Sequence, residues 1–121
     1  MPGEEAPTLY YKRGCSSCER ARQWLSQHNV KVKEHEFFKN PLDANEIEDL
    51  LGPRPVADLL STRTTAYKAR GLDKGSHSEA ELLRLMEAEP RLLRRPLLHL
   101  GDDLLIGFDP QRWAEALRTG K

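Results

Sequence analysis

Two cysteines three residues apart, Cys15 and Cys18, are the residues whose type and spacing suit redox chemistry, and the chain has no others. The surrounding pattern predicts that they lie in the first turn of a helix that follows a strand. There, free backbone N–H groups and the positive end of the helix dipole stabilise a thiolate and lower the pKa of the first cysteine from about 8.5 towards neutrality. Cys15 is therefore the candidate nucleophile.

Cys18 follows three residues later, on the same face of the predicted helix. From there it is close enough to attack a mixed disulfide formed at Cys15 and release the bound group, leaving an intramolecular disulfide. Cys18 is thus the candidate resolving thiol. Arg13, Arg20 and Arg22 stand around the motif and are candidates for adding positive potential.

A zinc site and a pair of inert cysteines are the alternative interpretations. Zinc would need four ligands, and the nearby candidates, His28 and His35, do not have the spacing of a zinc finger. An inert cysteine would be a small buried hydrophobe. A position at a helix start after a strand favours a reactive pair instead. No metal site is predicted.

Hydrophobic periodicity predicts the elements that position this pair. Residues 8–12 have the β-branched and aromatic content of a strand. Between residues 15 and 28, the side chains of Cys18, Ala21, Leu25 and His28 recur at helical spacing. Residues 30–38 are predicted to form a second strand, and the order strand, helix, strand predicts a parallel pair with a right-handed crossover.

The middle of the chain is predicted to be a helical insert. Its helices are expected over residues 43–52, 55–60, 64–70 and 78–90. Ser78 and Glu81 have the form of a capping box, in which each side chain satisfies a free backbone N–H of the other.

The end of the chain predicts a hairpin followed by a helix. Residues 97–100 and 104–106 are short apolar strands around Gly101, Asp102 and Asp103, whose composition is typical of a turn rather than of a catalytic carboxylate pair. Asp109 and Pro110 begin the last helix. The whole order is β-α-β, helical insert, β-β-α, which is an α/β fold with a mixed sheet.

Composition limits the remaining function classes. The chain has 121 residues, which suits a single domain spanning residues 1–121, and its 19 Lys and Arg balance its 19 Asp and Glu. Neutrality removes the field on which non-specific nucleic-acid and membrane-surface binders depend, so neither partner is expected. The apolar runs are far shorter than the ~20 residues of a spanning helix, and the acidic beginning differs from a signal peptide. A cytoplasmic protein is expected, and in that compartment structural disulfides are rare.

Several segments together resemble the ArsC/Spx family of thioredoxin-like proteins. In chain order they are residues 10–25 with the CxxC pair, Ser61-Thr62-Arg63, residues 92–96, and Gly107-Phe108. The resemblance covers nearly the whole chain and is closer to the Spx branch. It implies a thioredoxin-like fold with a helical insert over about residues 40–90, and it makes Pro96 the family's cis-proline facing the cysteine.

For the arsenate reductases of this family, the resemblance implies that the motif cysteine attacks arsenate, glutathione attacks the arsenic, and glutaredoxin recycles the enzyme. Their oxyanion is held by three arginines. Arg63 and Arg95 match the first two by position, whereas Gly107 stands where the third would fall. Because a charge-assisted contact is lost there, a more general thiol-disulfide oxidoreductase is the leading expectation and arsenate reduction is an alternative.

The Spx branch implies a different class of function, because Spx proteins bind the RNA polymerase alpha subunit and use CxxC as a redox switch on transcription. Two expectations follow. In an oxidoreductase, Cys15 attacks, Cys18 resolves, and Arg95, Arg63 and Pro96 bind an anionic substrate or a glutathione carboxylate. In a redox-switched adaptor, the pair changes binding without turnover. No bound cofactor is expected, and the implied reductants are glutathione, glutaredoxin or thioredoxin.

Overall fold

The structure, a computed structural model, describes residues 6–72, 77–101 and 103–119 and divides into two units. The sheet unit consists of the residues up to Phe37 and those from Arg95 onward, and the helical unit is Phe38–Arg94. The bounds of the helical unit lie close to those of the predicted insert, residues 40–90. That these residues form one domain stays a prediction, and the turn residue Asp102 lies outside the described residues.

The predicted order of elements is confirmed. In chain order they are β1 (Thr8–Tyr11), α1 (Ser16–Gln27), β2 (Lys33–Glu36), α2 (Ala44–Leu51), α3 (Thr65–Ala69), α4 (Glu79–Ala88), β3 (Leu97–Leu100), β4 (Asp103–Ile106) and α5 (Pro110–Thr119). Two short 3₁₀ turns, Val56–Leu59 and Pro90–Leu92, flank the middle helices. None of the helices within the described ranges is both long and apolar enough to cross a membrane.

The sheet unit contains one mixed sheet with strand order β2-β1-β3-β4. Strand β2 is parallel to β1, with α1 between them, while β3 is antiparallel to β1 and to β4. The predicted second strand, residues 30–38, is too long. The ladder with β1 runs only from Lys33 to Glu36, because β1 itself offers four residues for pairing.

The core of the sheet unit is built by one face of α1 against the sheet. Cys18, Ala21 and Leu25 are buried at offsets of three and four, as the periodicity predicted. His28 was predicted to continue this stripe, which is wrong. It lies after the last turn of α1, is exposed, and stacks on Trp24 with the ring centroids 4.1 Å apart.

The helical unit begins its helices with the predicted caps. Asp43 and Glu46 form a capping box at the start of α2, and Ser78 and Glu81 form another at the start of α4. Each box satisfies two backbone N–H groups that the helix leaves without partners, so these helix starts are defined by local sequence.

Leu98 provides a test of the core beneath the cysteine pair. Its side chain is 0% exposed in β3 and belongs to the same cluster as Cys18. Leu98→Ala is expected to lower the free energy of unfolding by about 2–5 kcal/mol because it leaves a cavity. Urea unfolding followed by tryptophan fluorescence measures this loss, since both tryptophans, Trp24 and Trp113, lie in the sheet unit.

The matched control is Leu100→Ala, at a half-buried position of the same strand. Its loss should be smaller, because less apolar surface returns to water. Equal losses for the two variants would contradict the described packing of β3.

Candidate functional site

The turn between β1 and α1 places Cys15 at the helix start. Gly14 has φ +86°, a left-handed conformation that glycine adopts without steric cost. The Cys15 N–H donates to the Lys12 carbonyl at 3.2 Å, and the Cys15 carbonyl accepts the N–H of Glu19 at 2.9 Å. Cys15 is therefore the N-cap residue of α1, one position before the first helical residue, whereas the sequence predicted it at the helix start within the first turn.

Two carboxylates hold the backbone of this turn. The Arg13 N–H donates to Glu36 at the end of β2 at 2.8 Å, and the Gly14 N–H donates to Glu19 in α1 at 3.5 Å. Both donors immediately precede Cys15. These contacts connect the position of the cysteine to a strand and to the helix that it begins.

The arginines around the motif do not all have the role that was expected of them. Arg22 forms ion pairs with Glu19 at 3.3 Å and with Glu34 at 3.2 Å, so its charge is balanced away from the sulfur. The guanidinium carbon of Arg20 lies 6.0 Å from the centroid of the Phe108 ring. The guanidinium that lowers the pKa of Cys15 belongs to Arg95, far along the chain.

The Cys15 sulfur has an environment that favours the thiolate. Partial burial opposes its ionisation, but the Ser17 hydroxyl, the thiol and backbone N–H of Cys18, and the Arg95 guanidinium favour it. Together these contacts lower the pKa of Cys15 from 9.0 to about 7. The Ser17 oxygen lies 3.3 Å from the sulfur. Close to neutral pH, a large share of Cys15 is therefore ionised.

Cys18 has the opposite environment. Its side chain is 0% exposed and belongs to the hydrophobic core of the sheet unit. Burial raises the pKa of Cys18 from 9.0 to about 12; a backbone hydrogen bond from Lys12 and the charge of Arg95 oppose this rise, while Cys15 adds to it. Both cysteines are free thiols, so the pair is in its reduced form with one acidic and one strongly basic sulfur.

Arg95 and Pro96 lie in the sheet unit directly before β3. The peptide bond between them is cis, which confirms the cis-proline that the resemblance implied. Arg95 is half-buried and Pro96 is buried. The influence of Arg95 on both cysteines places it near the pair, while the expectation that Pro96 faces the cysteine stays a prediction.

Gly107, where the family's third arginine would fall, has a backbone role. Its N–H donates to the Pro96 carbonyl at 2.8 Å, and its carbonyl accepts the indole N–H of Trp113 at 3.0 Å. Its φ is +75°, in the left-handed region that disfavours side chains with a Cβ. An arginine at this position would be strained in the present backbone.

Arg63 belongs to the helical unit, where its side chain is exposed. It lines a cavity of about 360 Å³ whose other lining residues are Leu60, Ser61, Thr62 and Arg94. The cavity is therefore lined by two arginines, Arg63 and Arg94, of which only Arg63 was predicted as a site residue. Among the residues that the structure describes, no cluster of histidine, cysteine and carboxylate side chains could hold a metal ion.

Three residues of the site were missed at the level of sequence. Ser17 touches the Cys15 sulfur, and Glu19 and Glu36 hold the turn before it. The signal for Ser17 was present, because a hydroxyl in the first helical turn can reach back to the N-cap residue. Glu36 had no local signal, since its contact depends on the pairing of β2 with β1.

Comparisons with known proteins agree with this description. A model of the ArsC family matches residues 10–116. The global transcriptional regulator Spx of Streptococcus pneumoniae (strain ATCC BAA-255 / R6) is 36% identical over 104 residues, which cover 84% of this chain and 78% of that protein. The protein of the same name from Listeria monocytogenes (serovar 1/2a, strain ATCC BAA-679 / EGD-e) is 33% identical over 104 residues, with 84% and 79% covered.

Solved structures show the same fold. The YffB (PA3664) protein superposes with a TM-score of 0.84 at 28% identity, covering 93% of this chain and 99% of that one. An arsenate reductase from Vibrio cholerae superposes with a TM-score of 0.82, with 92% and 97% covered. Its identity is 19%, so this likeness supports the fold alone. The expected α/β architecture is thus that of ArsC-like, thioredoxin-like proteins.

The unlike acidities predict unlike reactivities. Iodoacetamide alkylates thiolates, so the rate of Cys15 labelling should be half-maximal at a pH of about 7 and should fall about tenfold for each pH unit below it. Cys18 should remain unlabelled over this range, because its thiol is buried with a pKa of about 12. Mass spectrometry of the labelled peptides at a series of pH values measures both rates.

Unfolded protein in urea is the control, since both cysteines should then label alike with the pKa of an ordinary thiol. Equal labelling in the folded protein, or a Cys15 midpoint at the ordinary value of 9.0, would contradict the described environments.

Proposed function

The chain belongs to the ArsC family, and from that premise we propose that it is a thiol-disulfide oxidoreductase whose redox centre is the pair Cys15 and Cys18. One observation carries the proposal: two thiols in contact on the first turn of one helix have pKa values of about 7 and about 12. A low pKa suits a nucleophile at neutral pH. A buried neighbour with a high pKa suits a thiol that reacts only after the first bond has formed.

The first step joins Cys15 to the substrate. The Cys15 thiolate attacks one sulfur of a substrate disulfide, a new S–S bond forms, and the second substrate sulfur leaves as a thiolate. Cys15 then carries no charge. Because the charged Cys15 contributes to the raised pKa of Cys18, formation of the mixed disulfide lowers the pKa of Cys18 and prepares it for attack.

The second step releases the substrate. The Cys18 thiol gives its proton to the departing thiolate, its sulfur attacks the Cys15 sulfur, and the remaining substrate group leaves as a thiol. The substrate disulfide has gained two electrons and the pair has lost two, as an intramolecular disulfide. A thiol reductant such as glutathione, glutaredoxin or thioredoxin restores the reduced pair. The reaction needs no bound cofactor, and a cytoplasmic location is part of the proposal.

The arginines suggest an anionic partner. Arg95 lowers the pKa of both cysteines, so its positive charge acts at the reacting sulfurs. A carboxylate of glutathione, or an anionic substrate, would be held by the same charge, with Pro96 next to it in the chain. Arg63 and its neighbour Arg94 offer a second cationic surface in the helical unit.

Arsenate reduction is the more specific alternative. It is favoured by Arg63 and Arg95, which match two of the family's three oxyanion-binding arginines. The backbone at Gly107 argues against it, because the third guanidinium is absent and its position has φ +75°. Glutathione-dependent reduction of arsenate therefore remains the alternative function, and the turnover assay below includes arsenate as a second substrate.

Substitution of Cys18 is expected to stop the reaction after its first step. Cys18→Ser and Cys18→Ala, incubated with oxidised glutathione, should each accumulate one glutathionyl group on Cys15, because no resolving thiol remains. The wild-type chain should instead form its intramolecular disulfide and release reduced glutathione. Intact-mass spectrometry distinguishes the two products, and Cys15→Ser should form neither.

Turnover is measured as NADPH consumption through glutathione and glutathione reductase. One substrate is a mixed disulfide of glutathione and a small thiol, without glutaredoxin because glutaredoxin reduces such disulfides itself; the other is arsenate with glutaredoxin. Each rate is taken above the rate without the chain. NADPH consumption with the disulfide but not with arsenate supports the general thiol-disulfide oxidoreductase. NADPH consumption with arsenate supports an arsenate reductase. If neither substrate causes NADPH consumption, and if Cys18→Ala forms no glutathione adduct on Cys15, an enzymatic role is refuted.

A redox-switched adaptor is the second candidate function. The observation that favours it is the 33–36% identity to proteins named as global transcriptional regulators. In this role, formation of the Cys15–Cys18 disulfide changes the surface around the start of α1, and the altered surface binds the RNA polymerase alpha subunit. No turnover is required, because each oxidation acts once as a signal.

Capture of purified bacterial RNA polymerase separates the two functions. For the adaptor, immobilised oxidised chain is expected to retain polymerase through its alpha subunit, while the chain kept reduced is not. Cys15→Ala, which cannot form the disulfide, is the matched control and should retain none under oxidant. If the reduced chain retains as much polymerase as the oxidised chain, or if neither retains any, the adaptor function is refuted.

A further inference from the structure

We infer that Ser17 is a further catalytic residue, whose hydroxyl, 3.3 Å from the Cys15 sulfur, donates a hydrogen bond to the Cys15 thiolate as it attacks and as it leaves. The inference rests on the proposed use of Cys15 as the nucleophile. It deepens that proposal by assigning a group that acts on the reacting atom itself. Neither the family comparison nor the CxxC spacing assigns this role.

The local geometry directs the Ser17 hydroxyl at the sulfur. Cys15 is the N-cap of α1, and Ser17 is the second residue of the helix, half-buried in the first turn. Within the described residues, the Ser17 hydroxyl has the Cys15 sulfur as its hydrogen-bond partner. Its neighbour Ser16 has the same side chain but is exposed at the first helical position. The two serines of the motif therefore differ in environment, although not in type.

Ionisation of Cys15 determines the direction of this hydrogen bond. In the thiol form, either atom can donate to the other. A thiolate has no proton and can only accept, so the Ser17 hydroxyl becomes the donor. A hydrogen bond to a charged acceptor is stronger than one between neutral groups. The contact thus favours the ionised form, and among the contacts that lower the pKa of Cys15 it is the largest.

The same contact acts in both directions of the redox cycle. When Cys15 attacks a substrate disulfide, the contact increases the fraction of the sulfur present as thiolate. On reduction, a reducing thiol attacks the Cys15 sulfur and releases Cys18, and a second thiol then attacks the outer sulfur of this mixed disulfide. The Cys15 sulfur leaves with the electron pair of the broken S–S bond, and a leaving thiolate of lower pKa departs faster. Ser17 gives up no proton in either step, so it stabilises charge and is not a general acid.

Loss of the hydroxyl has a kinetic signature of its own. Intrinsic nucleophilicity rises with pKa, by about threefold for each pKa unit. Ser17→Ala should therefore move the midpoint of Cys15 alkylation upward by about one pH unit, the size expected for one charge-assisted hydrogen bond. It should also raise the plateau rate at high pH by about threefold. If the substitution instead loosened the start of the helix, the sulfur would become more exposed, but the shift of the midpoint and the rise of the plateau rate would not occur in this proportion.

The experiment measures the pH dependence of Cys15 alkylation by iodoacetamide in four chains: wild type, Ser17→Ala, Ser17→Thr and Ser16→Ala. Ser16→Ala is the matched control, because it removes the same group from the adjacent exposed position and should keep the wild-type midpoint. Ser17→Thr keeps a hydroxyl and should keep the midpoint close to the wild-type value. Alanine is favourable within a helix, so α1 is expected to fold in each chain, which circular dichroism checks.

The inference is overturned if Ser17→Ala keeps the wild-type midpoint, if Ser16→Ala shifts it equally, or if Ser17→Thr behaves as Ser17→Ala does. Disulfide turnover by the wild-type chain is measured separately. An upward shift in Ser17→Ala without any turnover by the wild type would leave the hydrogen bond supported and the proposed function refuted. The two failures are therefore distinguishable.

Discussion

A sulfur anion at the edge of an apolar core persists only where hydrogen bonds and positive charge offset its lost hydration. Cys15 meets this constraint at the start of α1, since it packs against the core cluster of the sheet unit and still has a pKa of about 7. The compensation comes from Ser17, Cys18 and Arg95. The first two belong to the same helical turn, whereas Arg95 is brought there by the entry to β3.

The difference between the two cysteines follows from the register of one helix. A spacing of three residues places Cys18 on the face that carries Ala21 and Leu25 into the core. Cys15 precedes the first helical residue and remains only half-buried. The packing that builds the core therefore raises the pKa of Cys18, while hydrogen bonds and the charge of Arg95 lower the pKa of the less buried Cys15. This difference assigns their order of reaction.

The backbone around the site is held by contacts that bear no direct chemistry. Glu36 and Glu19 accept the two N–H groups before Cys15. On the other side, Gly107 connects the carbonyl of Pro96 to the indole of Trp113. The departure from the three-arginine pattern is consistent with this second set of contacts, because the left-handed backbone that makes them excludes an arginine without strain.

Local sequence was sufficient for the order and type of the elements, the helix caps at Asp43 and Ser78, and the placement of Cys15 at a helix start, because periodicity, capping and turn chemistry act over a few residues. It did not determine the length of β2, which depends on the four residues that β1 offers for pairing. Nor did it identify which arginine acts on the sulfur. The family resemblance named Arg95 as a substrate-binding residue, but only the tertiary structure brings its charge to the sulfur, because a charge acts through distance in space. Arg20 and Arg22, nearer in the chain, lie instead against Phe108 and against two carboxylates.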